Sequence, residues 1–232
     1  MKHSISIKTT NGVLSVADFK TQRVAKADVI GVVLQTETIG MIISLDQWKE
    51  IWCSEDNKKV FNKDCGEAEA LQTLSGLELT RKIVEQNEKD GEDMTAAMRC
   101  WQYDKGGLQW YLPCLYELGT IIAYRDELNE MFKMLGADIL DEDDWGWSSS
   151  EISSWGAWYV SFGDGYFGNG FKCYSYVVRA VSAFSPWERG DFSSPSGNGD
   201  GEYPVPPMTE EGAVEFLRSR GYTGTILKEL SI

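Results

Sequence analysis

The amino-acid sequence predicts an α+β fold with mixed or antiparallel sheets, two or three helices and a C-terminal extension. Apolar, β-branched runs at residues 29–34 (VIGVVL) and 39–45 (IGMIISL) indicate strands that are covered on both faces. Apolar residues at helical spacing between residues 74 and 135 indicate the helices. Residues 145–184 alternate aromatic positions with glycine and serine, which is typical of antiparallel strands joined by turns.

The chain ends are predicted to differ from the central domain. Residues 1–28 are expected to form an N-terminal β hairpin or appendage, because Asn11-Gly12 is a strong hairpin-turn signal. The main domain is expected to span residues 29–184. Residues 185–232 are interpreted as a Pro/Gly/Ser-rich linker and a short C-terminal helix.

Three helices are predicted in the middle of the chain. The first begins near residue 74 and ends near Gly91, and the second covers residues 94–103. The third is a long amphipathic helix over residues 115–135, with Gly136 as its stop. Residues 46–66 are mixed and polar, which predicts a loop.

The composition excludes several function classes. A formal net charge of -14 argues against nucleic-acid and anionic-membrane partners. No run of apolar residues is long enough to span a bilayer, so membrane insertion is not expected. Five irregularly spaced cysteines and a single histidine, His3, do not form a zinc motif, and no metal or other cofactor is expected. Cys53 and Cys65 could pair in an oxidising environment.

The N-terminal residues lack the apolar run of a signal peptide, which predicts cytoplasmic synthesis. This expectation is compatible with a cytosolic protein and with a virion-associated phage protein released by lysis.

Residues 145–184 are the most informative part of the chain. Trp, Tyr and Phe make up about a third of the first thirty residues of this stretch, and Gly and Ser fill most of the rest. The charged residues before Arg179 are Glu151, Asp164 and Lys172. Aromatic side chains supply rigid contact area while Ser, Gly and Asn supply adaptable hydrogen bonds, so the stretch predicts recognition rather than catalysis.

A family resemblance follows from the order of short motifs. WYLPCLYEL, a long helix, WGWSSSE, AWYVSF and YVVRAVSAF follow one another as in a bacterial family with a C-type-lectin-like fold, related in fold to formylglycine-generating enzyme. The resemblance covers roughly residues 28–184. It implies that Trp147, Trp158, Phe162, Val177 and Val181 belong to the scaffold.

The same ending resembles the variable proteins of diversity-generating retroelements, which include phage tropism determinants. In that group, adenine-templated mutagenesis rewrites positions on the lectin-like strands and loops. Turn and outward-looking residues of the 145–184 stretch, such as Tyr159, Asn169 and Tyr174, belong to the set that such mutagenesis can reach, whereas Trp155 does not. The usual variable region lies at the very C-terminus, but here about fifty residues follow Phe184.

The candidate ligand-binding residues share outward-looking or turn positions in this stretch. They are Ser154, Trp155, Tyr159, Ser161, Asp164, Tyr166, Asn169, Phe171, Cys173, Tyr174 and Ser175. Turns are predicted at residues 163–165 and 168–170. Arg179 is expected to have a structural role, with Glu151 as a candidate partner. The acidic run at residues 141–144 is interpreted as a solvated loop, with calcium chelation as the alternative.

The chain lacks the chemical groups that the enzyme mechanisms considered below require. A Ser–His–Asp triad would depend on His3 near the chain end, and the cysteine chemistry of formylglycine-generating enzyme needs two closely spaced late cysteines where this chain has Cys173 alone. We therefore expect a non-enzymatic protein that binds a protein or cell-surface receptor, with phage tail receptor binding as one setting. The alternative is a non-varying structural or interaction domain that uses the same aromatics as a subunit interface, and an oligomer is compatible with both.

Overall fold

Two five-stranded sheets, here called sheet A and sheet B, form the framework of the protein. The computed structural model describes five stretches of the chain, residues 3–54, 59–61, 64–72, 75–90 and 94–184. Sheets and helices together confirm the predicted α+β class. The linker and C-terminal helix predicted at residues 185–232 lie outside the described residues.

The described residues contain ten strands and six α-helices. The strands are β1 (Ser4–Thr9), β2 (Gly12–Ser15), β3 (Val29–Gln35), β4 (Gly40–Ser44), β5 (Trp48–Ile51), β6 (Trp145–Glu151), β7 (Gly156–Ser161), β8 (Phe167–Phe171), β9 (Ser175–Val178) and β10 (Val181–Ala183). The helices are α1 (Val16–Thr21), α2 (Glu67–Gln72), α3 (Gly76–Asp90), α4 (Thr95–Trp101), α5 (Leu115–Ala123) and α6 (Arg125–Leu135).

Sheet A has the strand order β10-β4-β3-β1-β2, and all its neighbouring strands are antiparallel. The predicted N-terminal hairpin forms from β1 and β2, with Gly12 at a φ of 134° beside its turn. Because β1 also pairs with β3 along its whole length, the hairpin extends sheet A rather than standing apart as an appendage. The boundary predicted at residue 28 therefore lies inside one continuous sheet.

The central strands of sheet A are covered on both faces, as their unbroken apolar sequences predict. Val32 and Met41 pack into one core cluster, which contains α5, α6 and the inner side chains of β7. Val33 and Ile42 pack into a second cluster on the other face, together with side chains of α3 and α4. Burial of such strands on both sides accounts for their β-branched composition.

The helices differ from the sequence prediction in number and length. α4 matches the helix predicted at residues 94–103, whereas α1 and α2 were not predicted. The single helix predicted over residues 115–135 is wrong, because Tyr124 leaves the helical conformation and separates α5 from α6. Among the described residues, no helix combines the length and apolar character needed to cross a bilayer.

Sheet B has the strand order β5-β9-β6-β7-β8, in which β6 and β9 are parallel and the other pairs antiparallel. Its edge strand β5 lies within residues 46–66, where a loop was predicted, so that interpretation is corrected. β5 forms because it pairs with β9, which is distant in sequence. The local sequence pattern does not indicate such a partner.

Arg179 lies where the chain passes from sheet B to sheet A. One continuous strand was predicted over residues 176–181, but β9 ends at Val178 in sheet B and β10 begins at Val181 in sheet A. The buried Arg179 guanidinium donates to the carbonyl oxygens of Asp138 at 2.6 Å and Leu45 at 3.3 Å. Its structural role is thus confirmed, while the expected pairing with Glu151 is wrong.

Glu151 pairs instead with Lys172, in an ion pair that is almost completely shielded from water. The two side chains are 1% and 0% exposed. Glu151 also accepts the backbone N–H groups of Val60 at 3.0 Å and Phe61 at 2.8 Å, and the Lys172 ammonium lies 4.6 Å from the centre of the Trp52 ring. The pair therefore connects the end of β6, the end of β8 and the segment that follows β5.

Replacing Lys172 tests how strongly the fold depends on this pair. Lys172→Met leaves the Glu151 carboxylate buried without its counter-charge, so we expect a loss of about 3–5 kcal/mol in the free energy of unfolding. Urea denaturation measures it. The control is Lys49→Met, which removes an exposed lysine paired with Asp144 and should leave the midpoint unchanged within error. Equal midpoints for the two variants would contradict the assignment.

Glu117 predicts a pH dependence of stability. This carboxyl is 2% exposed, accepts the Tyr111 hydroxyl at 3.0 Å and the Cys114 N–H at 2.8 Å, and burial raises its pKa from 4.5 to about 7. Between these values the unfolded chain has released the proton while the folded chain still holds it. The contribution of Glu117 to stability is therefore retained below pH 4.5 and lost as the pH rises to about 7.

We expect Glu117→Gln to remove this dependence. The difference in unfolding free energy between the parent chain and the variant should shift by up to about 3 kcal/mol across that pH range, in favour of the variant at higher pH. Urea midpoints at several pH values give the difference, and the exposed Glu78→Gln on α3 is the control. A pH-independent difference for Glu117→Gln would refute the prediction.

Candidate binding surface

Large exposed apolar side chains of the described residues are concentrated in one short part of the sequence. All of them lie between residues 145 and 174, and they are Trp145 (45% exposed), Trp155 (40%), Tyr166 (60%), Phe171 (48%) and Tyr174 (48%). Single exposed hydrophobic residues are ordinary, but a contiguous exposed group is typical of an interaction site.

Six aromatic rings form a continuous chain of contacts, which we call the aromatic surface. It consists of Trp155, Phe171, Tyr174, Tyr176, Tyr159 and Trp145. Trp155 and Tyr174 each lie 5.5 Å from Phe171, and Tyr174 lies 6.3 Å from Tyr176. Tyr176, Tyr159 and Trp145 then contact one another at centroid distances of 5.0–5.8 Å.

Sheet B supports the aromatic surface from below. Trp147 on β6 is fully buried, and the rings of Tyr176 and Tyr159 lie 4.5 Å and 6.2 Å from it. The Trp147 indole N–H donates to the Tyr174 carbonyl at 3.1 Å, which holds the chain after β8 against the sheet. A buried ring thus fixes the positions of the exposed ones, which reduces the ordering cost of binding.

Two glycines on β8 provide the space that the tyrosine rings occupy. A Cβ atom on Gly168 would lie 2.4 Å from Cζ of Tyr159, and one on Gly170 would lie 3.2 Å from the Tyr176 hydroxyl oxygen. The turn predicted at residues 168–170 is therefore wrong: these residues pair with β7, and the glycines permit close approach of aromatic side chains. The turn predicted at residues 163–165 is confirmed, with Gly165 at a φ of 72°.

The predicted ligand-binding residues fall into three groups by exposure. The exposed group contains Trp155, Asp164, Tyr166, Asn169, Phe171, Cys173, Tyr174 and Ser175. Ser154 and Tyr159 are half-buried, and Ser161 is buried. The structure brings Trp155, Tyr159, Phe171 and Tyr174 into the aromatic surface. Tyr166 is exposed, and among the described residues no ring contact of its side chain places it in the chain of six rings.

Ser161, Asp164 and Asn169 do not belong to the aromatic surface. Ser161 was predicted to face a ligand, but it donates to Asp164, and this bond and the Tyr166 N–H hold the pKa of Asp164 below its ordinary value. The prediction for Ser161 is wrong because its side chain fixes the β7–β8 turn. Asn169 pairs with Trp158, so strand alternation places its side chain on the opposite face of sheet B from Gly168.

Trp145 and Tyr176 belong to the surface, although they were not selected from the sequence. Trp145 stands two residues before Trp147 on β6. Residues at i and i+2 of a strand share a face, and this spacing was the signal that could have identified Trp145.

The residues that the resemblance assigns to the scaffold lie in the core. Trp147, Trp158, Phe162, Val177 and Val181 are all buried.

The serine-rich end of β6 satisfies backbone groups of its neighbours. The Ser148 hydroxyl donates to the Trp158 carbonyl at 2.7 Å, and the Ser150 hydroxyl accepts the N–H of Leu115 at the start of α5 at 3.0 Å. These bonds connect the strand register to the helix that packs beneath it.

A groove of about 640 Å³ lies apart from the aromatic surface. Its lining includes Thr38, Tyr116, Arg125 and Asp164. The Tyr116 hydroxyl is bonded to Thr38 at 2.8 Å, and Arg125 donates to the Gly163 carbonyl at 3.0 Å. These polar groups are engaged within the chain, so the groove offers a ligand fewer partners than its composition suggests.

The described residues contain no cluster of His, Cys, Asp or Glu with the geometry of a metal site. In the acidic run at residues 141–144, the first three residues are exposed and Asp144 pairs with Lys49 at 2.7 Å. The run thus forms the solvated loop that its composition predicts.

Comparison with known proteins identifies a structural neighbour. No protein-family model matches the sequence, and no curated protein matches it. The structure is similar to the crystal structure of a fimbrial protein from Bacteroides ovatus ATCC 8483, with a TM-score of 0.58 and 14% sequence identity. The similar region covers 77% of this chain and 48% of the fimbrial protein, so this chain spans about half the length of its neighbour. At this identity the likeness shows a shared fold.

Substituting Gly168 tests the packing of the aromatic surface. In Gly168→Ala the new methyl group occupies the position of the Tyr159 ring end, so we expect the ring to leave β8 and stability to fall by about 1 kcal/mol. The loss of nuclear Overhauser contacts between Tyr159 and residue 168 and a urea titration report the two effects. The matched control Gly170→Ala has its nearest neighbour at 3.2 Å and should perturb the rings less. Retained Tyr159 contacts in Gly168→Ala would contradict this packing.

Proposed function

We propose that this chain is a non-enzymatic binding protein that presents the aromatic surface to a protein or cell-surface receptor. The observation that carries the proposal is the unbroken chain of six ring contacts, four of whose members are exposed by 40% or more. Rings that are exposed yet held in place supply contact area with little loss of conformational freedom on binding. Receptor binding at a phage tail is one setting in which such a surface operates.

The proposal includes a C-type-lectin-like scaffold for this surface. Its support is the motif order in the sequence, together with the burial of the residues that the resemblance assigns to the scaffold, among them Trp147 and Val177. The segment that carries the aromatic rings lies on and beside sheet B, while the helices pack on the core clusters. Separation of a rigid framework from a variable surface is what recognition on one scaffold requires.

We further propose that retroelement mutagenesis diversifies part of the surface. Packing restricts the variable positions to exposed ones, such as Tyr166, Phe171, Cys173 and Tyr174. Gly168 is excluded, because a larger residue there would collide with Tyr159. A near-copy of this coding region beside a reverse-transcriptase gene, differing mainly at adenines, is the expected genomic signature, and its absence from a complete genome would end this part of the proposal.

The second candidate function is a subunit interface formed by the same rings. Aromatic residues are enriched at the centres of protein interfaces, so the aromatic surface suits this role as well. The observation that favours it is the shared fold with a protein described as fimbrial. Sedimentation analysis separates the two functions: a stable homo-oligomer that Phe171→Ser dissociates would support the interface.

Removing two exposed rings tests the binding proposal. We expect Phe171→Ser combined with Tyr174→Ser to weaken binding of the labelled protein to receptor-bearing bacterial cells at least about tenfold, because buried aromatic anchors dominate interface energies. Flow cytometry across a panel of strains measures the binding. Glu78→Ser combined with Lys82→Ser on the exposed face of α3 is the control and should bind as the parent chain does. Equal binding by both double variants would refute the proposal.

A further inference from the structure

The edge strands of the two sheets differ in how they are protected. Of the four edges that the described residues form, β2 runs directly into α1, which packs against it, and β5 carries the charged residues Lys49 and Glu50. β10 has three residues, and its outer side is bonded to Tyr111 through hydrogen bonds of 2.8 Å and 2.9 Å. Such devices prevent an edge from pairing with another strand.

β8 is less protected than these edges: the Phe171 carbonyl at its end accepts the Tyr174 N–H at 2.9 Å, but the strand itself carries no charge. Its sequence, FGNGF, contains no charged residue and no proline. It lies at the end of sheet B, beyond β7, and its middle residue, Asn169, is exposed. An uncharged edge of this kind is a template for strand addition.

The hydrogen-bond pattern identifies which backbone groups of β8 point outward. Lys172 N–H donates to the Trp155 carbonyl at 3.1 Å, and Ser161 N–H donates to the Tyr166 carbonyl at 2.9 Å. Because bonded pairs alternate along an antiparallel ladder, the backbone N–H and C=O groups of the even-numbered residues of β8 bond to β7. The N–H and C=O of Asn169 therefore point away from the sheet, and this donor–acceptor pair is complementary to the backbone of another peptide.

The aromatic surface reaches this same edge. The Tyr159 ring lies over Gly168, and the Tyr176 hydroxyl reaches Gly170. Since neither glycine has a side chain, nothing on β8 separates these phenols from a strand added alongside. Alternate side chains of such a strand would contact the aromatic surface, and the absence of charge on β8 favours apolar or uncharged ones.

We propose that β8 binds an extended peptide segment of the partner protein as an additional antiparallel or parallel strand, anchored on the backbone of Asn169. This inference rests on the proposed function and adds the chemical class of ligand: an uncharged, extended peptide whose alternate side chains lie on the aromatic surface. The backbone bonds supply affinity, and the rings select the side chains.

Proline at position 169 tests the edge without disturbing sheet B. Asn169→Pro removes an outward N–H while the pairing of β8 with β7 is retained, and Asn169→Ala is the matched control that keeps the N–H. The probe is the tightest-binding peptide selected against the parent chain from a randomised library of linear peptides. We expect Asn169→Pro to weaken binding of this probe, measured by fluorescence anisotropy, by about tenfold or more, and Asn169→Ala to leave it within about twofold.

Hydrogen exchange supplies an independent readout. The Asn169 amide is expected to exchange rapidly in the free protein and to become protected when the probe binds. Probe affinity that Asn169→Pro leaves unchanged would overturn the inference, as would an unprotected amide in the complex. A homodimer of the parent chain that Asn169→Pro dissociates would also overturn it, because a second copy would then occupy β8. The proposed function fails by a different measurement, unchanged cell binding of the variant that lacks Phe171 and Tyr174.

Discussion

The buried pair of Lys172 and Glu151 is the constraint on which the aromatic surface depends. Two charges removed from water are tolerated only when each finds a partner in a fixed geometry, so the pair allows little freedom to the backbone on either side. Glu151 ends β6 and precedes the loop that carries Trp155, and Lys172 follows β8 and precedes Tyr174. The Lys172 carbonyl also accepts the N–H groups of Trp52 and Cys53 at 2.8 Å and 3.2 Å. One ion pair thus fixes both loops that supply exposed rings.

The aromatic surface shows how a sheet can present large apolar groups in a fixed arrangement. Trp147 forms a buried base, Tyr159 and Tyr176 lie on it, and the glycines of β8 leave room for both rings. Ring-to-ring contacts then carry the arrangement outward to residues that the solvent reaches. Exposure of so much apolar area is unfavourable for an isolated soluble protein, and binding of a partner removes that area from water.

Several elements could be predicted because their signals are local. The apolar runs of β3 and β4, the hairpin at Gly12 and the concentration of aromatics after residue 145 all follow from composition and periodicity. The failures arise where a distant residue overrides the local pattern. Tyr124 breaks a continuous helical pattern without glycine or proline. At this position the His3 ring contacts the Tyr124 ring at a centroid distance of 4.4 Å, and Arg125 donates to the carbonyl oxygens of Phe162 and Gly163.

Glycine gives the clearest example of an ambiguous signal. Gly168 and Gly170 around Asn169 have the composition of a turn, yet they lie in a paired strand because Tyr159 and Tyr176 need the space. Gly165, in the same segment, is a turn residue with a positive φ. The two uses of glycine look alike in sequence, since one depends on the residue's own backbone and the other on a neighbour's side chain.

By itself, the sequence determined that this protein has an α+β fold, that most of its helices precede an aromatic, glycine-rich segment, and that this segment is rich in side chains suited to recognition. These properties follow from residue chemistry and short-range periodicity. Only the tertiary structure decided which rings meet, that Lys172 rather than Arg179 pairs with Glu151, and that β8 is an edge strand of sheet B. The physical reason is that each of these features is a contact between residues distant along the chain, and such contacts are fixed by strand pairing and packing rather than by local pattern.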